Sequence, residues 1–300
     1  MIKHKTAMKE PVSDRIFNII NISVMLLILV VIIYPLYFII LASFSNPDTV
    51  ATGKLLIIPR EFYLEGYDKI FRHKPIWTGY RNTMFYTVLG TAINLAVTLP
   101  AAYAFSRKRL FGRGPLMLLF VFTMFFGGGM IPAYILVRQL RIYNTIWSML
   151  LPGAVSVWNI IVTRTFIQSN IPEEMHEAAT IDGGTDFQIF FLIVLPLSKA
   201  IIAVMGLFCA MGHWNNNFGA LIYLDNRDLH PLQLVLRELL VINQINFEIG
   251  SNIISIAERA RMAEQMKYGV IFVASLPMVL IFPFIQKYVE KGIRIGSLKG

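Results

Sequence analysis

Long apolar runs recur along the chain and are separated by shorter polar segments. Six runs can be marked off: Ile16–Phe44, Asn82–Phe105, Pro115–Val137, Tyr143–Thr163, Leu195–His213 and Tyr268–Gln286. Each supplies the roughly 20 residues that a helix needs to cross about 30 Å of hydrocarbon. The first run is too long for the apolar part of a signal peptide and is predicted to be an uncleaved span. The pattern therefore predicts an all-α membrane protein with six transmembrane helices and both termini on one side.

The composition agrees with this pattern and excludes a soluble domain. Hydrophobic residues make up 56% and charged residues 15% of the 300-residue chain, whereas soluble chains are about 45–50% apolar and about 25% charged. The net charge of +9 is interpreted as basic anchoring against anionic lipid, not as nucleic-acid binding. The single cysteine, Cys209, excludes an intramolecular disulfide and a Cys-based metal cluster.

The distribution of basic residues predicts the orientation of the chain. Lys and Arg are dense in three segments: 3–15, 107–113 and 287–299. In a six-span arrangement all three lie on one side, which the positive-inside rule makes cytoplasmic. The N-terminal segment 1–15 and the tail 287–300 are thus predicted to be cytoplasmic. Two connecting segments are predicted to be external, although they carry eleven Lys and Arg, spread thinly: 45–81 and 214–267.

The predicted spans hold almost no charge. None of the 18 acidic residues lies in a span, and the only basic side chains there are Lys199 and His213. Secondary carriers need intramembrane carboxylates or histidines, and a membrane enzyme of glycan assembly needs a metal or carboxylate cluster, so both classes are disfavoured. The five histidines show no metal-ligand spacing and are predicted to be solvated or interfacial. No phosphate-binding loop is found, because Gly53-Lys54 has Asp48 where the first glycine belongs.

The segment between the fourth and fifth runs predicts a short helix with defined ends. Pro172 suits the first turn, and Glu173 and Glu174 complement the positive end of the helix dipole. Gly183-Gly184 supplies a stop with positive φ, and Thr185 or the aspartate after it can cap a second helix.

One face of this short helix is shallow. Four residues share it at i, i+3, i+4 and i+7: Met175, Ala178, Ala179 and Asp182. Such a face suits close docking in the groove of a partner. The alternative is an ordinary loop helix that packs on its own chain.

The same segment resembles the EAA loop of ABC-importer permeases. Seven positions at fixed spacing carry the resemblance: Glu177, Ala178, Ala179, Gly183, Ile193, Leu195 and Pro196. Three further segments resemble the smaller permease of maltose-type sugar importers: Ala101–Arg107, His213–Asn215 and Gly296–Gly300. Three others are closest to the subfamily associated with complex oligosaccharides and polysaccharides: Phe126–Pro132, Leu150–Asn159 and Pro231–Arg237.

This resemblance implies a type I ABC importer permease fold over residues 78–283 and a division of labour between subunits. Two homologous permeases form the pathway, two ATPases lie beneath them, and an extracellular solute-binding protein delivers a sugar. The chain would be a non-catalytic, cofactor-free, multi-pass subunit of a bacterial plasma (inner) membrane.

Within that family the loop 170–194 couples the permease to an ATPase. The residues implied to do so are Glu173, Glu174, Met175, Glu177, Ala178, Ala179, Asp182, Gly183, Ile193 and Pro196. Glu177 is expected to be a structural, ion-pairing residue, Gly183 to allow a turn that a Cβ would strain, and Pro196 to begin the fifth helix. The tail residues implied to reach the ATPases are Gly296, Lys299 and Gly300.

Two other segments leave alternatives open. Trp214, Asn215, Asn216 and Asn217 either form an interfacial aromatic belt with turn-forming asparagines or contact the sugar or its binding protein. Gly127–Gly129, with Pro132, is expected to break the third span through a kink or a close helix approach, and contact with a ligand is the alternative. The EAA loop is also found in permeases for other solutes, so a peptide or polyamine permease is the alternative to a sugar permease.

Overall fold

The computed structural model of the chain describes residues 11–53, 58, 62, 64–245, 267–280, 283 and 286. Over these residues it is helical, with one isolated antiparallel bridge between Ser45 and Phe62. The chain divides into two compact units, 1–70 with 246–272 and 71–245 with 273–300. The predictions for the tail residues Gly296, Lys299 and Gly300 lie outside the described residues.

The first unit contains a long apolar helix, α1 (Val12–Phe44), and two shorter ones, α2 (Pro47–Ala51) and α3 (Glu65–Arg72). At 33 residues, α1 is about 50 Å long, and it is apolar enough to cross a membrane. Its buried residues lie only near its C-terminal end, at Leu41–Ser43. Outward-facing apolar side chains along the rest of α1 are typical of a helix in lipid or against a partner.

The second unit is a succession of helices around α4. In chain order they are α4 (Lys74–Ser106), α5 (Arg113–Phe125), α6 (Met130–Gln139), α7 (Trp147–Leu150), α8 (Val157–Asn170), α9 (Glu173–Ile181), α10 (Asp186–Ile189), a π-helical turn (Phe190–Val194), α11 (Leu195–Leu197), α12 (Lys199–Trp214), α13 (Asn217–Tyr223), a 3-10 turn (Arg227–Leu229) and α14 (Leu232–Ile245). A further apolar helix, α15 (Lys267–Leu280), passes from the first unit into the second.

Helix α4 is the centre of the second unit and packs against α12, α8 and α14. It too has 33 residues and is long and apolar enough to span a membrane. One apolar cluster surrounds its C-terminal end, with Tyr103, Ile160 and Phe190 among its members. A second surrounds its N-terminal half, with Tyr86, Leu150 and Leu234. The two ends of α4 are therefore built into different parts of the unit.

Breaks in the apolar runs change the predicted spans. In the described part of the chain, two single helices, α1 and α4, are long and apolar enough to cross a membrane. Two further pairs of helices are bent, and the number of spans rises to four if each pair is one span. The pair α5–α6 bends by 110° where Gly129 has a φ of +84°, so the expected break in the third run is present. The second pair, residues 186–214, bends by 81°. The count of six spans and the cytoplasmic termini remain predictions.

Two sequence-based helix assignments are wrong. The fourth run, Tyr143–Thr163, is not one helix, because residues 151–156 are irregular and α8 begins only at Val157. Pro152 and Gly153 explain the interruption, since proline lacks an amide hydrogen and glycine has little helix propensity. Pro196 does not begin the fifth helix, since it lies in α11, before the bend that precedes α12. The predicted external segments 45–81 and 214–267 contain helices, among them α14 (Leu232–Ile245).

Candidate functional site

The ends of α9 are fixed by the residues that the sequence indicated. Pro172 precedes the helix in an extended conformation, and Asp182 ends it. Gly183 follows with a φ of +83°, which glycine adopts without steric cost. Thr185 then caps α10, because its Oγ1 accepts a hydrogen bond from Gln188 N (3.3 Å) while Gln188 Oε1 accepts one from Thr185 N (2.8 Å). The predicted stop and second cap are confirmed, whereas Pro172 immediately precedes the helix instead of lying in its first turn.

The inward face of α9 is packed on its own chain. His176 is 3% exposed, and its ring lies 5.9 Å from that of Tyr103, near the C-terminal end of α4. Ala179 packs against the same apolar cluster. The prediction of a solvated or interfacial histidine is wrong for His176. This residue lies three positions before Ala179 and therefore shares with it the face of α9 that packs against the apolar cluster. The predicted shallow face is therefore divided, with Ala179 inward and Ala178 exposed.

An ion pair joins the beginning of α9 to the end of α4. Arg107 Nη1 lies 3.2 Å from Glu173 Oε1, with the two side chains 11% and 28% exposed. Burial lowers the pKa of His176, and the positive charge of Arg107 lowers it further, while Glu173 and Asp186 oppose that shift. The sequence indicated Arg107 only as one member of a basic segment, since its pairing with Glu173 depends on the tertiary fold.

The outward face of α9 is open. Its exposed residues are Glu174, Met175, Glu177, Ala178, Thr180 and Ile181, and Asp182 at its end is exposed as well. Ile181 is 86% exposed, and Phe187 just beyond the turn is 78% exposed. Of the other predicted coupling residues, Ile193 is partly buried against the apolar cluster and Pro196 is exposed. A helix fixed on one side and open on the other, with carboxylates beside apolar side chains, has the form of a docking surface.

A cavity with a mixed apolar and polar lining lies in the second unit, between α4, α8, α12 and α13. It has a volume of about 300 Å³. The lining residues with amide, hydroxyl or imidazole groups are Asn94, Ser148, Ser156, Asn159, His213, Asn216 and Tyr223. Amide and hydroxyl groups without a carboxylate are suited to neutral hydroxyl-bearing ligands.

Asn94 organises one wall of this cavity. Its Nδ2 donates to the carbonyl oxygens of Gly153 (2.7 Å) and Ala154 (2.9 Å). Its Oδ1 lies 2.7 Å from His213 Nε2. Since the amide nitrogen is used twice as a donor, Oδ1 is the acceptor and Nε2 carries the hydrogen.

The four residues predicted to touch sugar or binding protein have different surroundings. Trp214 is 3% exposed and packs edge-on against Tyr80 with centroids 6.4 Å apart, so its burial does not fit direct contact with a ligand. Asn215 is exposed and donates to the carbonyl of Met211 (3.0 Å). Asn216 caps α13 and lines the cavity, and Asn217 is exposed in the first turn of α13.

Comparison with known proteins decides the family. Residues 75–295 match the family described as the inner membrane component of binding-protein-dependent transport systems. The chain belongs to this family. Its α9, its cavity beside Asn94 and all of α4 except Lys74 lie within the matched residues, so the geometry described above is that of a transport permease. The predicted recognition, helical membrane class and inner-membrane location are confirmed.

Relatives of this permease cover almost its whole length. It is 37% identical over 96% of its length to the polygalacturonan/rhamnogalacturonan transport system permease protein YtcP of Bacillus subtilis (strain 168), covering 99% of that protein. It is 36% identical to protein LplC of the same strain, with 96% of each chain covered. A crystal structure of a bacterial ABC transporter involved in the import of the acidic polysaccharide alginate contains a chain with 30% identity and a TM-score of 0.83, over 94% of this chain and 99% of that one.

Proposed function

We propose that this permease is one membrane subunit of an ATP-driven oligosaccharide importer and couples through α9 to a separate ATPase. The observation that carries the proposal is the two-sided setting of α9. On one side, α9 is held against the rest of the permease by His176, Ala179 and the Arg107–Glu173 ion pair. On the other side, the side chains of Ala178 and Ile181 are exposed. A force applied to the open face is thereby transmitted to the end of α4 and can move the spans as a body.

The substrate we propose is an oligosaccharide from an acidic polysaccharide. One relative is named for polygalacturonan and rhamnogalacturonan, and the similar solved structure is of an alginate importer. The amide- and hydroxyl-lined cavity beside Asn94 would serve the sugar hydroxyls. A permease for a peptide or a polyamine is the alternative that the test below must exclude.

The proposed complex contains a second, homologous permease, two ATPase subunits and an extracellular solute-binding protein. The family description supports the binding protein, since it names binding-protein-dependent transport. ATP hydrolysis resides on the ATPase subunits, so this chain is a non-catalytic partner. The tail residues Gly296, Lys299 and Gly300 are proposed to contact the ATPases.

Uptake by the complete transporter in proteoliposomes tests this function. Labelled trigalacturonate should accumulate with ATP inside, but not with a non-hydrolysable analogue, and only when the binding protein is present. Unlabelled tripeptide or spermidine should not compete. Competition by either of these, or the absence of ATP-dependent uptake of any uronate oligosaccharide, would contradict the proposed substrate.

A further inference from the structure

A second cavity lies at the opposite end of α4 from the coupling helix. It has a volume of about 410 Å³, within the range of small-molecule sites. Its polar lining residues are His73, Lys74, Arg227, Asp228, His230 and Glu238, and we call it the His230 cavity. Since α4 has 33 residues and is about 50 Å long, the His230 cavity and α9 lie at opposite ends of a helix that is long enough to cross a membrane.

The turn that forms one wall of the His230 cavity is fixed by side chains of α4. Asn82 Nδ2 donates to the carbonyl oxygens of Asp228 (2.7 Å) and His230 (3.0 Å). Tyr86 donates its hydroxyl hydrogen to the carbonyl of Leu229 (2.9 Å). Every carbonyl from residue 228 to 230 thus has a donor on α4, and the wall is a formed site rather than a loose loop.

Two further contacts fix the neighbouring walls. Thr83 Oγ1 accepts from Leu232 N (2.8 Å) at the start of α14. Gly79 lets α14 approach closely, because a Cβ there would lie 3.0 Å from Leu232 Cα. Just before the wall-forming turn, Asn144 Oδ1 accepts from Asp225 N (3.0 Å) and Asn226 N (2.8 Å).

A buried histidine in this wall has unused hydrogen-bonding capacity. The side chain of His230 is 7% exposed, and its Nδ1 lies 3.4 Å from Glu238 Oε1. Within the described part of the chain, its Nε2 is buried without a hydrogen-bond partner, and so is His73 Nδ1. Buried polar atoms normally have partners, so two such atoms lining one cavity indicate a ligand that supplies them.

We propose that the His230 cavity receives a carboxylate-bearing sugar unit of the substrate as it leaves the binding protein. The exposed cations Lys74 and Arg227 stand at its rim to pair with the carboxylate. With the Nδ1 hydrogen directed at Glu238, His230 Nε2 accepts from one sugar hydroxyl, and the Glu238 carboxylate accepts from another. This role rests on the proposed uronate substrate and adds a recognition site on the permease itself.

The mixture of charges favours a sugar acid over a lipid phosphate. Asp228 and Glu238 face the same cavity as Lys74 and Arg227. A phosphate group offers almost only acceptors, so it would bring no donor to the carboxylates of Asp228 and Glu238 and would be repelled by them. A uronate ring carries one carboxylate, which can pair with Lys74 or Arg227. It also carries several hydroxyl groups, which can donate to the carboxylates of Asp228 and Glu238.

Kinetics of the complete transporter with Arg227→Gln and Glu238→Gln test this inference. The KM for trigalacturonate should rise about tenfold in Arg227→Gln, the order expected for loss of one charge-assisted hydrogen bond, with kcat little changed. Glu238→Gln should raise KM by a smaller factor. The control is Arg237→Gln, which removes an exposed cation of α14 outside the cavity lining and should leave KM unchanged.

Different failures of this experiment have different meanings. Three outcomes would overturn the inference: an unchanged KM in Arg227→Gln, an equal rise of KM in Arg237→Gln, or a fall in kcat of Arg227→Gln without a change in KM. In each of these cases, import of trigalacturonate by the wild-type complex would still uphold the proposed function. An effect of Arg227→Gln that appears only in vesicles with anionic lipid would assign the cavity to a lipid phosphate and also overturn it. A wild-type complex that imports no uronate oligosaccharide overturns the proposed substrate and this inference together.

Discussion

Two adjacent glycines after α9 are required for different physical reasons. Gly183 has a φ of +83° but nothing within 4 Å of an added Cβ, so a side chain there would strain only the backbone. Gly184 has a different constraint, because an added Cβ would lie 2.8 Å from the carbonyl oxygen of Ala179. That carbonyl also accepts the Gly184 N–H (2.9 Å), so the close approach is part of the turn.

Substitution of these glycines should separate the two effects. Gly183→Val places a β-branched residue in the left-handed region, at a cost of about 1–2 kcal/mol, and should abolish most of the transport while the protein stays inserted. Gly184→Ala should also impair transport, through displacement of the Ala179 carbonyl. Gly114→Ala is the control, since nothing lies within 4 Å of its added Cβ. Intact uptake and wild-type yield of co-purified ATPase in Gly183→Val would contradict this prediction.

The residues of the coupling region differ in how far the sequence reveals them. Gly183 and Thr185 were predictable because helix stops and caps depend on local backbone geometry. Gly184, Arg107 and His176 were not, since their roles depend on which carbonyl, carboxylate or ring the fold brings near. An i,i+3 pattern that pairs His176 with Ala179 was the only local signal of its burial.

At the scale of the helix, α9 depends on groups at the end of α4. Arg107 pairs with Glu173 at one edge, and Tyr103 packs against His176 beneath the helix. Because burial and then Arg107 lower the pKa of His176, against the opposing effect of Glu173 and Asp186, packing of α9 on α4 favours the neutral imidazole. A proton on that ring would place a second buried cation beside Arg107.

Coupling should therefore weaken as the pH falls. The ordinary pKa of a histidine is 6.5, and the pKa of His176 is lower when α9 is packed on the end of α4. The stabilisation of this packing by the neutral ring is therefore fully present above about pH 6.5 and is lost progressively below it. Substrate-stimulated ATP hydrolysis, normalised to that of the ATPase alone, should decline through this window. His176→Phe keeps a ring without the charge and should flatten the decline. Identical pH profiles for both proteins would exclude His176 as its cause.

The elements that the sequence misassigned share one physical cause. A run such as Tyr143–Thr163 is apolar on average, and average apolarity does not reveal a break of two or three residues. Pro152-Gly153 and the bend at Ser198 interrupt helices while leaving the run apolar. Only the Gly127–Gly129 break was predicted, because three successive glycines are a strong local signal.

At the scale of the molecule, α4 separates two functional ends. Helix α9, the proposed coupling helix, lies at its C-terminal end and the His230 cavity at its N-terminal end. If α9 faces the cytoplasm, the turn at Asn226 faces outward. The length of α4 is sufficient to place its two ends on opposite sides of a membrane, whichever way the chain is oriented.

Labelling of introduced cysteines in intact cells tests this orientation. A cysteine at Phe111, which is 98% exposed, should be protected from an impermeant thiol reagent, and so should one at Ile181. A cysteine at exposed Asn226 should react. The wild-type chain is the blank, because Cys209 is buried. Reaction at Phe111 from outside the cell would reverse the assignment of the two ends.

Cross-linking from α9 in the assembled transporter tests most directly whether this helix docks on the ATPase. A photoreactive amino acid at Ile181, which is 86% exposed, should give an adduct with the mass of this permease plus the ATPase. The same amino acid at Asn226, beyond the other end of α4, should give none with the ATPase. Absence of an ATPase adduct at Ile181, in a complex that still co-purifies with its ATPase and imports substrate, would contradict α9 as the coupling element.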